Sequence, residues 1–305
     1  MFRKHNRRAA KAAYAISLGV ALLIGLLVAG GAGAAPAAKP TIVLGTKNFT
    51  EAYVLGELYK QALQAKGYTV KYKPNIGSSE LIDTAFQSGK INFYPEYLGI
   101  LVANIAKQPL PKTAAATLAA ARKWEAANRS GVIYNLTPFQ DSDSFGLLTA
   151  TAKKLGVTTI ADMKKVKSFT YAGYPECRTR ITCLAGLKKY YGLTQAKFVS
   201  LGSISVYTLL DTGKITAGDV FSTDPQLQDK SKYTVLKDPK HIFGFQNVAP
   251  IVNKSVDSAA LRKVVNAVSA KLSLGAMQAM NKAVAIDKQS PAKVAAAFLK
   301  ANGLA

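Results

Sequence analysis

The chain has 305 residues, a formal net charge of +23, 49% hydrophobic residues, two cysteines and two histidines. That supply of thiols and imidazoles excludes a Cys/His zinc quartet, and it leaves a Ser-His-Asp triad only His241, since His5 lies in an N-terminal leader. No GxSxG, P-loop or GxGxxG pattern occurs, so the common signatures of hydrolases and nucleotide enzymes are missing.

The leader comes first. Arg3, Lys4, Arg7, Arg8 and Lys11 precede a small apolar run from Ala12 to Gly30, and Ala32-Gly33-Ala34 fits a small-residue cleavage site. This predicts a signal peptide over 1–34, with Arg7-Arg8 hinting at twin-arginine export and an uncleaved membrane anchor as the alternative. No cysteine stands near the cleavage site, so lipid attachment there is chemically unavailable. The expected product is an exported, soluble protein in the periplasm or on the outer face of the cytoplasmic membrane. Removing the leader takes away five positive charges and no acid, which leaves about +18 on the mature chain. Those charges are scattered, with no basic block carrying interleaved aromatics, and export separates the protein from nucleic acid. Generic attraction to anionic envelope surfaces fits better. Cys177 and Cys183, in CRTRITC, lie where disulfides persist, and the two are expected to pair.

The first element of the mature chain is a buried strand, Ile42 to Leu44, turned at Gly45 into a helix whose apolar residues Val54, Leu55, Leu58, Tyr59, Ala62 and Leu63 repeat at helical spacing. Asn48 and Glu51 resemble a capping box. Lys47 adds charge to the positive end of that helix, so Lys47 and Asn48 form a candidate anion-recognition corner. Tyr68 to Lys73 alternates as a strand. Ser78 is placed to cap a helix with Leu81, Ile82, Ala85 and Phe86 as its buried stripe, and Ile91 to Tyr94 is a further strand. This βαβαβ order with short loops predicts an α/β protein with a mainly parallel sheet flanked by helices. An Ala-rich helix (113–127), a strand (131–136) and the apolar segment 143–149 follow. The same grammar recurs on a smaller scale over about 150–220, and strands at 233–236 and 248–252 with three terminal helices suggest a return. The expected organisation is a discontinuous first lobe, 40–143 and 223–305, and a second lobe, 144–222, with crossings near 144 and 222 acting as a hinge.

An enzyme reading is poorly supplied. Glu96 and Asp224 are isolated carboxylates that would have to serve as an acid/base pair, and a structural hydrogen-bonding role suits them better. The aromatics say more. Phe49, Tyr94, Tyr97, Phe145, Phe221 and Phe245 each fall at an expected strand end or crossing loop, where open α/β sheets bind ligands. One such ring is usually core; several at different strand mouths suggest a box for a quaternary ammonium, which has no N–H to donate. Lys47 and Arg180 would then hold the carboxylate of a zwitterion.

The segments GTKNFTE (45–51), NIGSSELIDTAFQSGKINFYPEYLG (75–99), YPECRTR (174–180), GLKKYYGL (186–193), FSTDPQL (221–227) and DPKHIFGFQNVAP (238–250) resemble, in order and over nearly the whole mature chain, the glycine betaine/choline/carnitine-binding proteins of ABC importers. The resemblance implies a two-lobed periplasmic-binding-protein fold, each lobe a mixed sheet flanked by helices and joined by a two-strand hinge. It also implies a monomer without cofactor that delivers its ligand to membrane permease subunits, with osmotic protection as the family's role. Within its motifs, Lys47 and Arg180 match carboxylate-binding positions, Tyr97 a cage ring, and Asp143 the residue whose backbone oxygen faces the ammonium methyls. Phe145, Phe221 and Phe245 stand at or beside the other cage positions, and Asn48, Ser79 and Thr223 are further expected contacts. Phe145 and Phe221 stand where relatives often have tyrosine, and Ile100 removes a polar contact, which points to altered affinity. Rival expectations are the same fold with an amino acid or small peptide as ligand, an exported enzyme built on Glu96 or Asp224, and a charge-bound structural envelope protein.

Overall fold

The computed structural model describes residues 39–305; the signal-peptide or anchor expectation for 1–34 lies outside the described residues. Among these, no helix is long and apolar enough to cross a membrane.

Two five-stranded mixed sheets carry the fold. In the first, β1 (Ile42–Gly45) lies parallel to β2 (Val70–Lys73) and to β3 (Phe93–Tyr97), in the order β2-β1-β3-β10-β4. Strand β10 (Val248–Asn253) runs antiparallel between β3 and β4 (Gly131–Ile133), pairing Val248 with Tyr97. Helices cover both faces. Helix α1 (Thr50–Ala65) packs with the C-terminal helices on one side, around Ile42, Leu44, Leu58, Phe93 and Val265. Helix α2 (Ser79–Gln87) packs on the other, around Ile82, Phe86, Tyr94 and Ile251. The inner strands β1, β3 and β10 are therefore buried on both faces, as near-continuous apolar runs such as Ile42-Val43-Leu44 require, while the edge strand β2 leaves Lys71 and Lys73 exposed.

The second sheet has the order β7-β6-β8-β5-β9. Strands β6 (Phe169–Gly173), β7 (Ala196–Ser200) and β8 (Ala217–Phe221) are parallel, and β5 (Asp143–Leu148) enters antiparallel to β8. The sequence reading returns the chain to the first lobe from residue 223. Instead β9 (Tyr233–Val235) pairs antiparallel with β5, and Leu236, Ile242 and Phe243 join the second core. Pairing covers an edge that β5 would otherwise leave open. The two crossing segments run side by side: Ser222 N–H donates to the Ser142 carbonyl at 3.0 Å, and Ser142 N–H to the Ser222 hydroxyl at 2.9 Å.

Local details depart from the expected pattern where side chains found better partners. Phe49, not Asn48, caps α1, and Glu51 accepts hydrogen bonds from the Tyr97 hydroxyl (2.8 Å) and the Asn281 amide (2.9 Å) rather than closing a capping box. Ser78 does cap α2 by position, but its hydroxyl donates to Glu80 at 2.6 Å instead of accepting from the backbone. Leu81, expected in the buried stripe, is 56% exposed. The paired cysteines are confirmed as a Cys177–Cys183 disulfide.

Candidate functional site

The mouths of the two sheets face a common cleft lined by Lys47, Asn48, Phe49, Ser78, Ser79, Tyr97, Ile100, Asp141, Asp143, Tyr174, Glu176, Arg180, Asp219 and Phe221, with the disulfide at its wall. Most come from a strand end or the adjoining loop, while Asp219 stands within β8 and Ser79 opens α2. Gly45 ends β1 where a Cβ would stand 2.7 Å from Ile91 and 2.8 Å from Ile76, so glycine lets the chain turn there and bring Lys47 inward. Phe49, at the start of α1, stacks on Phe221 from the end of β8, with centroids 6.1 Å apart and planes 9° from parallel. Tyr97 lies 5.9 Å from Phe49, and Tyr174 lies 6.4 Å from Phe221. Four rings from both sheets thus line one space.

Not every expected ring takes part. Tyr94 is fully buried against Phe86, with centroids 5.1 Å apart, and belongs to the core beneath α2. Alternation explains it: Tyr94 and Tyr97 are three residues apart on β3, so they point to opposite faces. Phe145 is also core, packed on Tyr171 at 5.0 Å and Phe169 at 6.0 Å. It shares a face with Asp143, but two residues further along β5 carries it about 7 Å away from the mouth. Phe245 is half-buried in the loop before β10, outside the lining of the cleft. Thr223 is buried and donates its N–H to Asp141 at 3.0 Å; it faces the wider, continuing part of the cleft beside Glu51 and Asp224. Lys47, Asn48, Phe49, Ser79, Tyr97, Asp143, Arg180 and Phe221 are brought together as expected.

The polar groups are committed to one another. Lys47 is bonded to Glu96, which is fully buried, and its ammonium lies 4.2 Å from the Tyr97 ring centroid. Glu96 also accepts from the Ser79 hydroxyl at 3.2 Å and the Tyr97 N–H at 2.7 Å, the structural role its surroundings suggested. Asp224 likewise accepts from the Tyr207 hydroxyl and the Phe221 N–H, both at 2.8 Å. Burial lowers the pKa of Lys47, with Glu96 opposing. Burial pushes Asp143 up to about 6, against the pull of Arg180 and Lys47, and raises Asp141 and Asp219 well above the usual carboxylate range. Arg180 holds Glu80 in a two-pronged pair, and against the effect of burial this keeps the Glu80 carboxyl down at about 2.

Sequence reasoning missed Tyr174, Asp141, Asp219 and Glu80. Tyr174 stands at the end of β6 in the same position that flagged the other rings, so its signal was available. Asp141 and Asp219 carried none: Asp141 lies in the polar run Gln140-Asp141-Ser142-Asp143-Ser144 and Asp219 is a lone acid among small and apolar residues, and neither pattern reveals which way the side chain points.

A two-lobed α/β frame with a ring-lined cleft at the strand mouths is the architecture of a solute-binding protein. A family model described as the substrate binding domain of the ABC-type glycine betaine transport system matches residues 40–301, and the chain belongs to that family. It is 31% identical over 281 residues to the glycine-betaine-binding protein of Pseudomonas aeruginosa, covering 87% of this chain and 88% of that one. It is 28% identical over 273 residues to the ergothioneine transport permease/ergothioneine binding protein of Helicobacter pylori, of whose length it covers 48%, or about half. The solved structure of a glycine betaine/carnitine/choline ABC transporter protein shares the fold, with a TM-score of 0.69 at 21% identity over 86% of this chain and 99% of that one. The family is one of transport rather than catalysis.

Proposed function

We propose that this protein is the extracytoplasmic receptor of an ABC importer and captures a quaternary ammonium compound, such as glycine betaine, choline or carnitine, between its lobes. One observation carries the reading: Phe49, Tyr97, Tyr174 and Phe221 reach one cleft from both sheets, alongside carboxylates. Ring faces attract a cation that cannot donate a hydrogen bond, with each ring contributing about 0.5–2 kcal/mol. Because the rings come from both lobes, the ligand contacts both and favours the closed form by its differential affinity. That closed form is what a membrane permease would recognise, and the solute leaves unaltered. A monomer, exported to the periplasm and serving osmotic protection, fits this role.

Calorimetric titration of the purified protein with glycine betaine, choline, carnitine and ergothioneine tests the reading. Saturable one-site binding by a quaternary ammonium compound is the expected result. A folded protein silent to all of them, yet stabilised by an amino acid or short peptide in a thermal-shift screen, overturns the ligand class while keeping the fold.

A further inference from the structure

The charge on the cleft wall narrows the ligand further, and the argument rests on the reading above. Two cations face the cleft, Lys47 and Arg180, together with four carboxylates, Asp141, Asp143, Glu176 and Asp219. Neither cation is free. Lys47 is bonded to Glu96. Arg180 donates to Glu80 with both prongs, Nε to Oε1 at 3.1 Å and Nη2 to Oε2 at 2.9 Å. A parallel pair of N–H donors on two carboxylate oxygens is the geometry a ligand's own carboxylate would need from this arginine. Glu80 sits in the first turn of α2, beneath the first sheet, and Arg180 follows β6 of the second. The protein therefore supplies to Arg180, from the helix on the first sheet, the anion that a zwitterion would bring.

One of the four acids keeps an open oxygen. Asp219 is 4% exposed, lines the cleft, and its Oδ1 has no hydrogen-bond partner among the described residues. A buried acceptor left open is costly unless a positive group comes to it. Ile100 presents an alkyl side chain to the same space, and its N–H is already donated to Gln246 at 3.0 Å. A zwitterion would have to dislodge Glu80 to pair its carboxylate with Arg180. A quaternary ammonium compound without a carboxylate does not.

We propose that Glu80 is a specificity-determining residue: it fills the Arg180 fork from within, so the cleft selects net-cationic quaternary ammonium compounds of the choline type over zwitterions such as glycine betaine. Glu80 acts through Arg180 and is a positioning residue, so the informative readout is the ratio of affinities rather than either affinity alone.

The test is calorimetric titration of the purified protein and of Glu80→Gln and Glu80→Ala with choline, tetramethylammonium and glycine betaine. Unliganded thermal unfolding confirms that each variant is folded. Wild type is expected to bind choline at least about tenfold more tightly than glycine betaine, and both variants are expected to narrow that ratio about tenfold by binding glycine betaine more tightly. Glycine betaine binding as tightly as choline to wild type, or a ratio unmoved in both folded variants, overturns this inference and leaves the quaternary ammonium reading standing. Silence of the folded wild type toward all three compounds overturns both.

Discussion

Lys47 shows what a buried charge needs. Its partner Glu96 is fully buried, so the pair is held by mutual attraction and by the Ser79 hydroxyl and Tyr97 N–H on the same carboxylate. Lys47→Met is expected to destabilise the fold by about 3–5 kcal/mol, because it strands a buried carboxylate rather than because the pair itself is worth that much. Urea unfolding of Lys47→Met and of Lys47→Met with Glu96→Gln checks this, the double variant recovering most of the loss. Asp143 gives the matching pH prediction. Its folded pKa, about 6, lies above the ordinary 3.8, so the folded state takes up a proton between those values. Its contribution is fully present below pH 3.8 and is lost as pH rises through about 6, roughly 3 kcal/mol in all. Arg180 and Lys47 face it and pull the other way, while Glu176 reinforces the shift. The unliganded Tm of Asp143→Asn is therefore expected to fall less than that of wild type between pH 4 and 6.

At the scale of elements, the segment between β6 and the following helix (Leu184–Tyr191) decides where Arg180 points. The Cys177–Cys183 bridge closes it across six residues of separation. In the chain-entropy account such a short loop gains about 2 kcal/mol. Gly186 lets the helix approach, since a Cβ there would stand 1.9 Å from the Ile181 carbonyl oxygen. Reduction of the disulfide is expected to lower Tm and to weaken ligand binding together, because Cys177 and Cys183 form part of the cleft wall and the freed loop no longer holds it. Thermal unfolding and titration with and without dithiothreitol measure both. Pairing of the cysteines could be read from CRTRITC, since no other thiol or metal-ligand set competes. The placement of Arg180 could not, because it depends on Glu80, a hundred residues away in the chain.

Across the whole molecule, the two lobes touch beside the ligand cleft as well as through the crossings. Asn104 donates to the Thr182 hydroxyl at 3.0 Å and accepts from the Ile181 N–H at 3.1 Å, and Arg180 reaches Glu80. These bonds tie the halves together directly. Asn104→Ala removes two of them and is expected to enlarge the unliganded radius of gyration in small-angle scattering and to speed ligand release in stopped-flow chase experiments. The liganded radius should change less, since the ligand itself then supplies contacts to both sides.

Periodicity and motif order were enough to determine, by themselves, the alternating α/β frame, most strands and helices, the family and the disulfide, and they named eight residues that line the cleft. These are local quantities: a buried stripe or a strand-end turn depends on residues a few positions apart. Tertiary structure alone decided that Tyr94 and Phe145 belong to cores while Tyr174 belongs to the cleft, and that β9 stays on the second sheet. It alone showed that both cleft cations already hold carboxylates of the protein. The physical reason is that charge pairing and ring facing act through space. Which carboxylate reaches Arg180 first is fixed only when α2 and the segment after β6 are brought face to face.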